Sequence, residues 1–127
     1  MLFELIQNGE EMNMEYAEIF KLDGMLTAAG IQHELTNRPG WGWQITYAAD
    51  GKWELRKPGC GDAVINSMSY GHDNGLIEVM GFDITDEEYG DEVVGWLRAE
   101  EAFRFFKRQY EKDQKIQNGE ENESTDH

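Results

Sequence analysis

The sequence predicts an α+β fold in which an antiparallel sheet of three to four strands is flanked by an N-terminal and a C-terminal helix, in the order α-β-β-β-β-α. Three observations predict it. Two segments, one towards each end, repeat apolar residues at helical spacing. Between them, short alternating or wholly apolar runs are punctuated by Gly, Pro, Asn and Asp. Finally, a chain of 127 residues with four Trp, five Tyr and six Phe can build one core, whereas two halves would each be marginal. The expected organisation is a flexible N-terminal extension over 1–13, a single domain over 14–115 and a disordered acidic tail over 116–127; no internal repeat is visible.

The extension carries Glu4, Glu10 and Glu11, no basic residue, and Gly9 in its middle. Met12 and Met14 stand just before the first helix, so a start codon assigned upstream of the true one is one explanation of this segment. From Met14 to Ala29, Tyr16, Ile19, Phe20, Leu26 and Ala29 form one apolar stripe, and Gly30 supplies the left-handed residue that ends a helix. Ile31 to Thr36 can enter a strand, and Asn37-Arg38-Pro39-Gly40 is turn chemistry. Trp43, Ile45 and Tyr47 alternate with polar or small residues, as do Trp53 and Leu55 beyond Asp50-Gly51. This alternation predicts a hairpin around a three-residue loop, Ala49-Asp50-Gly51, with Tyr47 opposite Trp53 and Ile45 opposite Leu55. Gln44, Thr46, Lys52, Glu54 and Arg56 then occupy the other face.

Pro58-Gly59-Cys60-Gly61 breaks the sheet edge. Ala63 to Met68 reads as a third strand, Gly71 to Gly75 as a break, and Leu76 to Phe82 as a central fourth strand with Glu78 as its one charge. After an acidic linker, Asp83 to Glu92, a second helix is expected from about Leu97 to Lys112. Its apolar face is Ala99, Ala102, Phe103, Phe106 and Tyr110, with Glu100 and Glu101 at its start and Lys107, Arg108 and Lys112 near its end, as the helix dipole favours.

The charge is the most informative global property. Asp and Glu number 26 against 11 Lys and Arg, a formal net charge of −15. Such a field repels phosphate and favours basic partners, so direct nucleic-acid binding is not expected. The single cysteine, Cys60, excludes an intrachain disulfide and suits a reducing compartment. The opening Met-Leu-Phe-Glu-Leu-Ile lacks a basic start and is too short an apolar run for export or for a membrane span. A cytoplasmic protein without a membrane partner is expected.

Two surfaces stand out as candidates. The run Asp83, Asp86, Glu87, Glu88, Asp91 and Glu92 presents carboxylates much as a duplex presents phosphates, offering a basic groove a decoy; its plainer reading is a solvated linker at a helix entrance. A basic minority, Arg38, Lys52, Arg56 and Lys57, surrounds Trp41 and Trp43. With Ser69, Tyr70 and His72 as further donors, Arg38, Trp41, Trp43 and Arg56 make an alternative site for a nucleotide phosphate and base; its plainer reading is a charge-balanced sheet face. Cys60 with His33 and His72 is the minimum inventory for a thiol nucleophile, yet no recognised local signature surrounds it. Asp83-Ile84-Thr85-Asp86 lacks the order of oxygens that a calcium loop requires. No enzyme activity, metal or cofactor is expected.

From Tyr16 to Tyr110 several blocks carry a resemblance: Glu18-Ile19-Phe20-Lys21-Leu22, Ala28-Ala29-Gly30-Ile31, Ser69-Tyr70-Gly71, Leu76-Ile77-Glu78-Val79-Met80-Gly81, and Gly95-Trp96-Leu97 followed by Ala99-Glu100-Glu101. In these blocks the chain resembles small uncharacterised phage and prophage proteins of Gram-positive (Firmicutes) gut bacteria. Where Arg98 stands, relatives often have a Thr suited to capping the second helix. The resemblance implies a mobile-element setting inside a bacterial host cell and no named activity; small proteins in that setting are often host-defence antagonists. Together with the charge, it leads to the expectation of a non-enzymatic, anti-CRISPR-like inhibitor that binds a basic host protein, such as a nucleic-acid-binding nuclease, stoichiometrically. The alternative is a sponge that sequesters a small nucleotide immune signal. Either could act as an oligomer.

Overall fold

The computed structural model describes residues 2–55, 57, 59–82 and 93–117, with side chains from Glu15 onward. The chain forms helix α1 (Leu2–Ala28), strands β1 (Glu34–Arg38), β2 (Gly42–Ala48) and β3 (Cys60–Asn66), a short 3₁₀ turn (His72–Asn74), strands β4 (Ile77–Met80) and β5 (Val93–Leu97), and helix α2 (Ala99–Gln117). The strands lie in sequence order in one antiparallel sheet. The α+β class and its two flanking helices are as expected from the sequence, but the sheet has five strands where three to four were expected. The additional edge strand is Val93–Leu97, which lies between the expected end of the linker at Glu92 and the expected start of the helix at about Leu97. α1 begins at Leu2, so the backbone of residues 2–13, expected to be a flexible extension, is helical.

Register explains the layers. Opposed residues share a face, so Ile45, Ala63, Val79 and Val94 line one row, with Ile65, Ile77 and Leu97 on the same side. Both helices pack on this inner face, α1 over β2 and β3 and α2 over β4 and β5. Ile19, Leu22 and Leu26 of α1 and Ala99, Ala102 and Phe106 of α2 are fully enclosed there. Ala29, counted in the apolar stripe, is instead exposed, because the helix has already ended: the Gly30 N–H reaches the Thr27 carbonyl and the Ile31 N–H the Leu26 carbonyl. This is the bond pair of a Schellman stop, with Gly30 at φ 73° as anticipated and Ile31 buried along with Leu26.

The Trp53–Leu55 hairpin does not form. Asp50-Gly51 does make a turn, with the Gly51 N–H on the Ala48 carbonyl and the Lys52 N–H on Asp50 Oδ1 (2.8 Å), but residues 52–54 run on without pairing. β2 instead pairs with β1 across Pro39-Gly40-Trp41, placing Leu35 opposite Ile45. On its other edge it pairs with β3, placing Tyr47 opposite Gly61. Leu55 is consequently 58% exposed, and Gln44, which lies on the face away from the helices as expected, is buried there. Local alternation reports which face a side chain wants; it does not report which strand will supply the pairing.

Two long-range polar contacts lock the helices. Tyr47 donates to Asp113 Oδ2 of α2 (2.7 Å), and Gln109 donates to the other oxygen (3.0 Å). Burial, and then Asp113, hold the Tyr47 phenol well above its usual range, so it remains a donor. At the start of α2 Arg98 has no capping hydroxyl, and carboxylates from two directions substitute: Glu101 Oε1 takes the Arg98 N–H (3.0 Å), and Glu18 Oε1 of α1 takes the Ala99 N–H (2.8 Å). Lys21 and Glu100 add an ion pair beside them. Phe106→Ala is expected to cost about 3–5 kcal/mol as an enclosed truncation, whereas Leu55→Ala should stay within about 0.5 kcal/mol. Urea unfolding of both variants checks the pairing, because a paired, inward Leu55 would make the second loss large.

Candidate functional site

Among the described residues, the end of the sheet formed by the β1–β2 turn and the β3–β4 connection brings together the most exposed aromatic side chains, Tyr70 and Trp96. Its origin is an irregularity in β5. Ile77 faces Leu97 and Val79 faces Val94, so Glu78 alone stands opposite both Gly95 and Trp96. This two-against-one count is a β-bulge. With strict alternation, Val94 and Leu97 would fall on opposite faces; the extra residue lets both serve the core and turns Trp96 away from it. Trp96 adopts φ 55°, the only non-glycine among the described residues with positive φ. For a bulky L-residue that conformation costs about 1–2 kcal/mol.

The 67–71 segment packs on the bulge. The Tyr70 carbonyl accepts the Trp96 N–H (3.3 Å), and the Tyr70 N–H donates to Glu78 Oε2 (2.7 Å). A Cβ on Gly95 would lie 2.3 Å from that of Tyr70, so only glycine permits the approach. The result is a Tyr70–Trp96 ring stack with centroids 5.2 Å apart and planes 22° from parallel. Both rings stay in solvent, at 56% and 57% exposure, and Met68 beside them is 87% exposed. Ser69 is buried, its hydroxyl bonded to the backbone of Asn66, which holds the segment's shape.

The candidates read from the sequence fall as follows. Asp83, Asp86, Glu87, Glu88, Asp91 and Glu92 lie outside the described residues, as does Arg56. Arg38 sits over the Trp41 ring at 5.3 Å, and the Trp41 carbonyl accepts the Ser67 N–H (3.3 Å), so Arg38 and Trp41 share this sheet end with Ser69 and Tyr70. Trp43 points the other way and meets the edge of Phe20 at 4.8 Å. His72 pairs with Asp73 (3.2 Å) and lines an open cleft of about 430 Å³ with Glu15, Asn74 and Gly75. Lys52 and Lys57 follow the opposite end of β2, roughly 20 Å along a seven-residue strand. There Lys57 is bound to Asp50 and Glu54. Among the described residues, therefore, two basic side chains do not converge on Trp41.

Cys60 is buried, its thiol facing the Lys52 carbonyl (3.7 Å), and His33 is engaged with Asp23 (2.7 Å) and the Ile31 carbonyl. Among the described residues no group of three or more His, Cys, Asp or Glu could hold a metal, and no helix is long and apolar enough to cross a membrane. Comparison of the chain with protein-family models, with curated proteins and with solved structures finds no match.

Tyr70 stands out in the sequence only as an accessory donor, and Trp96 carries no expected role. The signal lay in Val93-Val94-Gly95-Trp96-Leu97, an apolar run with a glycine inside it, which is how a bulge is written. Behind the aromatic end, on the face away from the helices, Asp62 is buried and accepts the Gln44 amide (2.7 Å). Burial pushes its carboxyl up to about 6; the Gln44 bond opposes this and the Glu78 charge adds to it.

Two measurements test this local account. Trp96→Gly should be more stable than Trp96→Ala by about 1 kcal/mol, the reverse of the ordinary strand preference, because alanine keeps the left-handed strain and glycine removes it. Equal stabilities, or a more stable alanine variant, would contradict the bulge geometry. Asp62 binds its proton more tightly in the folded chain than in the unfolded one, where the value is near 3.8. Its contribution to stability therefore falls as pH rises from about 4 through about 6 and stays lower above that. Asp62→Asn should raise stability at pH 8 by about 1–3 kcal/mol and change it little near pH 4, as read from urea midpoints at the two pH values.

Proposed function

We propose that this chain is a non-enzymatic binding protein of a phage or other mobile element that acts in the bacterial host cytoplasm, where it occupies a basic host protein such as a nucleic-acid-binding nuclease. The observation that carries the reading is the exposed Tyr70–Trp96 stack, held out by a backbone conformation that costs stability. Strain of this kind collects where a side chain must be aimed, and Trp and Tyr are the residues that most often anchor protein interfaces. The −15 charge selects the sign of the partner and speeds its approach. Described cations are partly spent within the chain: Lys21 on Glu100, Lys57 on Asp50 and Glu54, Arg38 over Trp41. The mobile-element setting follows from the resemblance of the blocks between Tyr16 and Tyr110, and host-defence antagonism from that setting. The acids at 83–92 join the binding surface in this proposal as its steering element.

The test is recovery of the full chain from host lysate followed by native mass spectrometry and association kinetics. A bound basic protein is expected. Exchanging Asp86, Glu87, Glu88, Asp91 and Glu92 for Asn or Gln should slow its association by tenfold or more at low salt and far less at high salt. A bound nucleotide in place of a protein would overturn this reading in favour of the nucleotide sponge. Unchanged kinetics with unchanged salt dependence would remove the acidic run from the mechanism.

A further inference from the structure

We infer that Trp96, backed by Tyr70 and faced by Glu78, is a receptor for an arginine side chain presented by a basic protein segment. The inference rests on the binding-protein reading and specifies the chemistry of its central contact.

Tyr70 covers one face of the Trp96 ring, and the ring's 57% exposure leaves the other face to solvent. Glu78 stands across the bulge from Trp96. Its Oε2 is taken by the Tyr70 N–H, whereas Oε1 has no hydrogen-bond partner among the described residues. An aromatic plane beside a carboxylate with a spare oxygen is the combination a guanidinium satisfies. The group is planar and weakly hydrated, so it can lie flat on the indole while its N–H groups reach the carboxylate. An ammonium keeps its water more tightly and gains less from the ring. The chain already shows this contact once at the same end of the sheet, where Arg38 lies over Trp41 at 5.3 Å. Among the described residues, no Lys or Arg side chain does the same for Trp96.

Other occupants fit less well. An apolar side chain on Trp96 would strip water from Glu78 and leave it without a counter-charge. A second copy of this chain would bring two charges of −15 together. A basic segment satisfies both the local carboxylate and the overall field.

The experiment uses the full chain and two labelled peptides of equal charge, one alternating Arg and Gly and the other Lys and Gly, titrated by fluorescence anisotropy at low and physiological salt. The wild-type chain should bind the Arg peptide about five-fold tighter than the Lys peptide. Trp96→Gly, whose backbone suits the left-handed position, should bind the two alike, and Tyr70→Ala should reduce the preference by a separate route. Glu78→Gln should weaken the Arg peptide more than the Lys peptide. Equal binding of both peptides by the wild-type chain, or a preference that survives Trp96→Gly, would overturn the arginine receptor while leaving the acidic-binder reading in place. No binding of either peptide at low salt would overturn both. A wild-type chain that sediments as a dimer, with Trp96→Gly a monomer, would assign the surface to a second copy instead.

Discussion

One sheet face has to be buried under two helices that come from opposite ends of the chain, and the rest of the structure depends on how the strands meet that requirement. The inner row Ile45, Ala63, Val79 and Val94 runs across four strands, with α1 and α2 lying over it. Shifting β3 by one residue would carry Asp62 and Val64 to the helix side in place of Ala63 and Ile65. The small Ala63 in the middle of the row leaves room for the large groups that close it, Ile45, Val79 and Phe106, all fully enclosed. Because the helices are distant in sequence, their docking also has to be secured by contacts no local segment can make. Tyr47–Asp113 and Glu18–Ala99 are those contacts.

The bulge in β5 follows from the same requirement. Both Val94 and Leu97 are needed inside, and two residues between them leave no strictly alternating path. The chain resolves this by placing Gly95 and Trp96 together opposite Glu78, which drives Trp96 into a left-handed conformation and out of the core. The segment that follows β3 then packs on the exposed bulge through Tyr70. The exposed aromatic surface is thus coupled to the core: the same inserted residue that keeps Leu97 buried puts Trp96 in solvent.

Carboxylates serve this molecule in three physically different ways. At the start of α2, Glu18 and Glu101 satisfy backbone donors that the helix cannot satisfy itself. Glu100 pairs with Lys21, whose hydrogen bond holds the Glu100 carboxyl below its usual range. At Asp62 burial works against the charge, and Gln44 offsets part of the cost. An excess of acid is therefore partly structural. The rest contributes to a formal net charge of −15.

The α+β class, the two amphipathic helices and the Gly30 stop are legible in the sequence, because each is written in residues close together: an apolar stripe, a left-handed glycine; the turn expected over Asn37–Gly40 starts two residues later, because Asn37 and Arg38 pair with Trp43 and Gly42 in the sheet. The sequence also fixes the sign of the net charge, from which the proposal of a basic partner starts. It pointed to Arg38, Trp41, Ser69 and Tyr70 without showing that they share one end of the sheet, and it misassigned the partner of β2, since the alternation at Trp53 and Leu55 imitates a strand that the sheet does not use. β5 stayed hidden because its bulge destroys the period of two and because only Arg98 separates it from α2. The direction of Trp96 depends on tertiary structure alone. Its direction depends on which residues of β4 stand opposite it, and that opposition exists only once the helices have chosen which face of the sheet to bury.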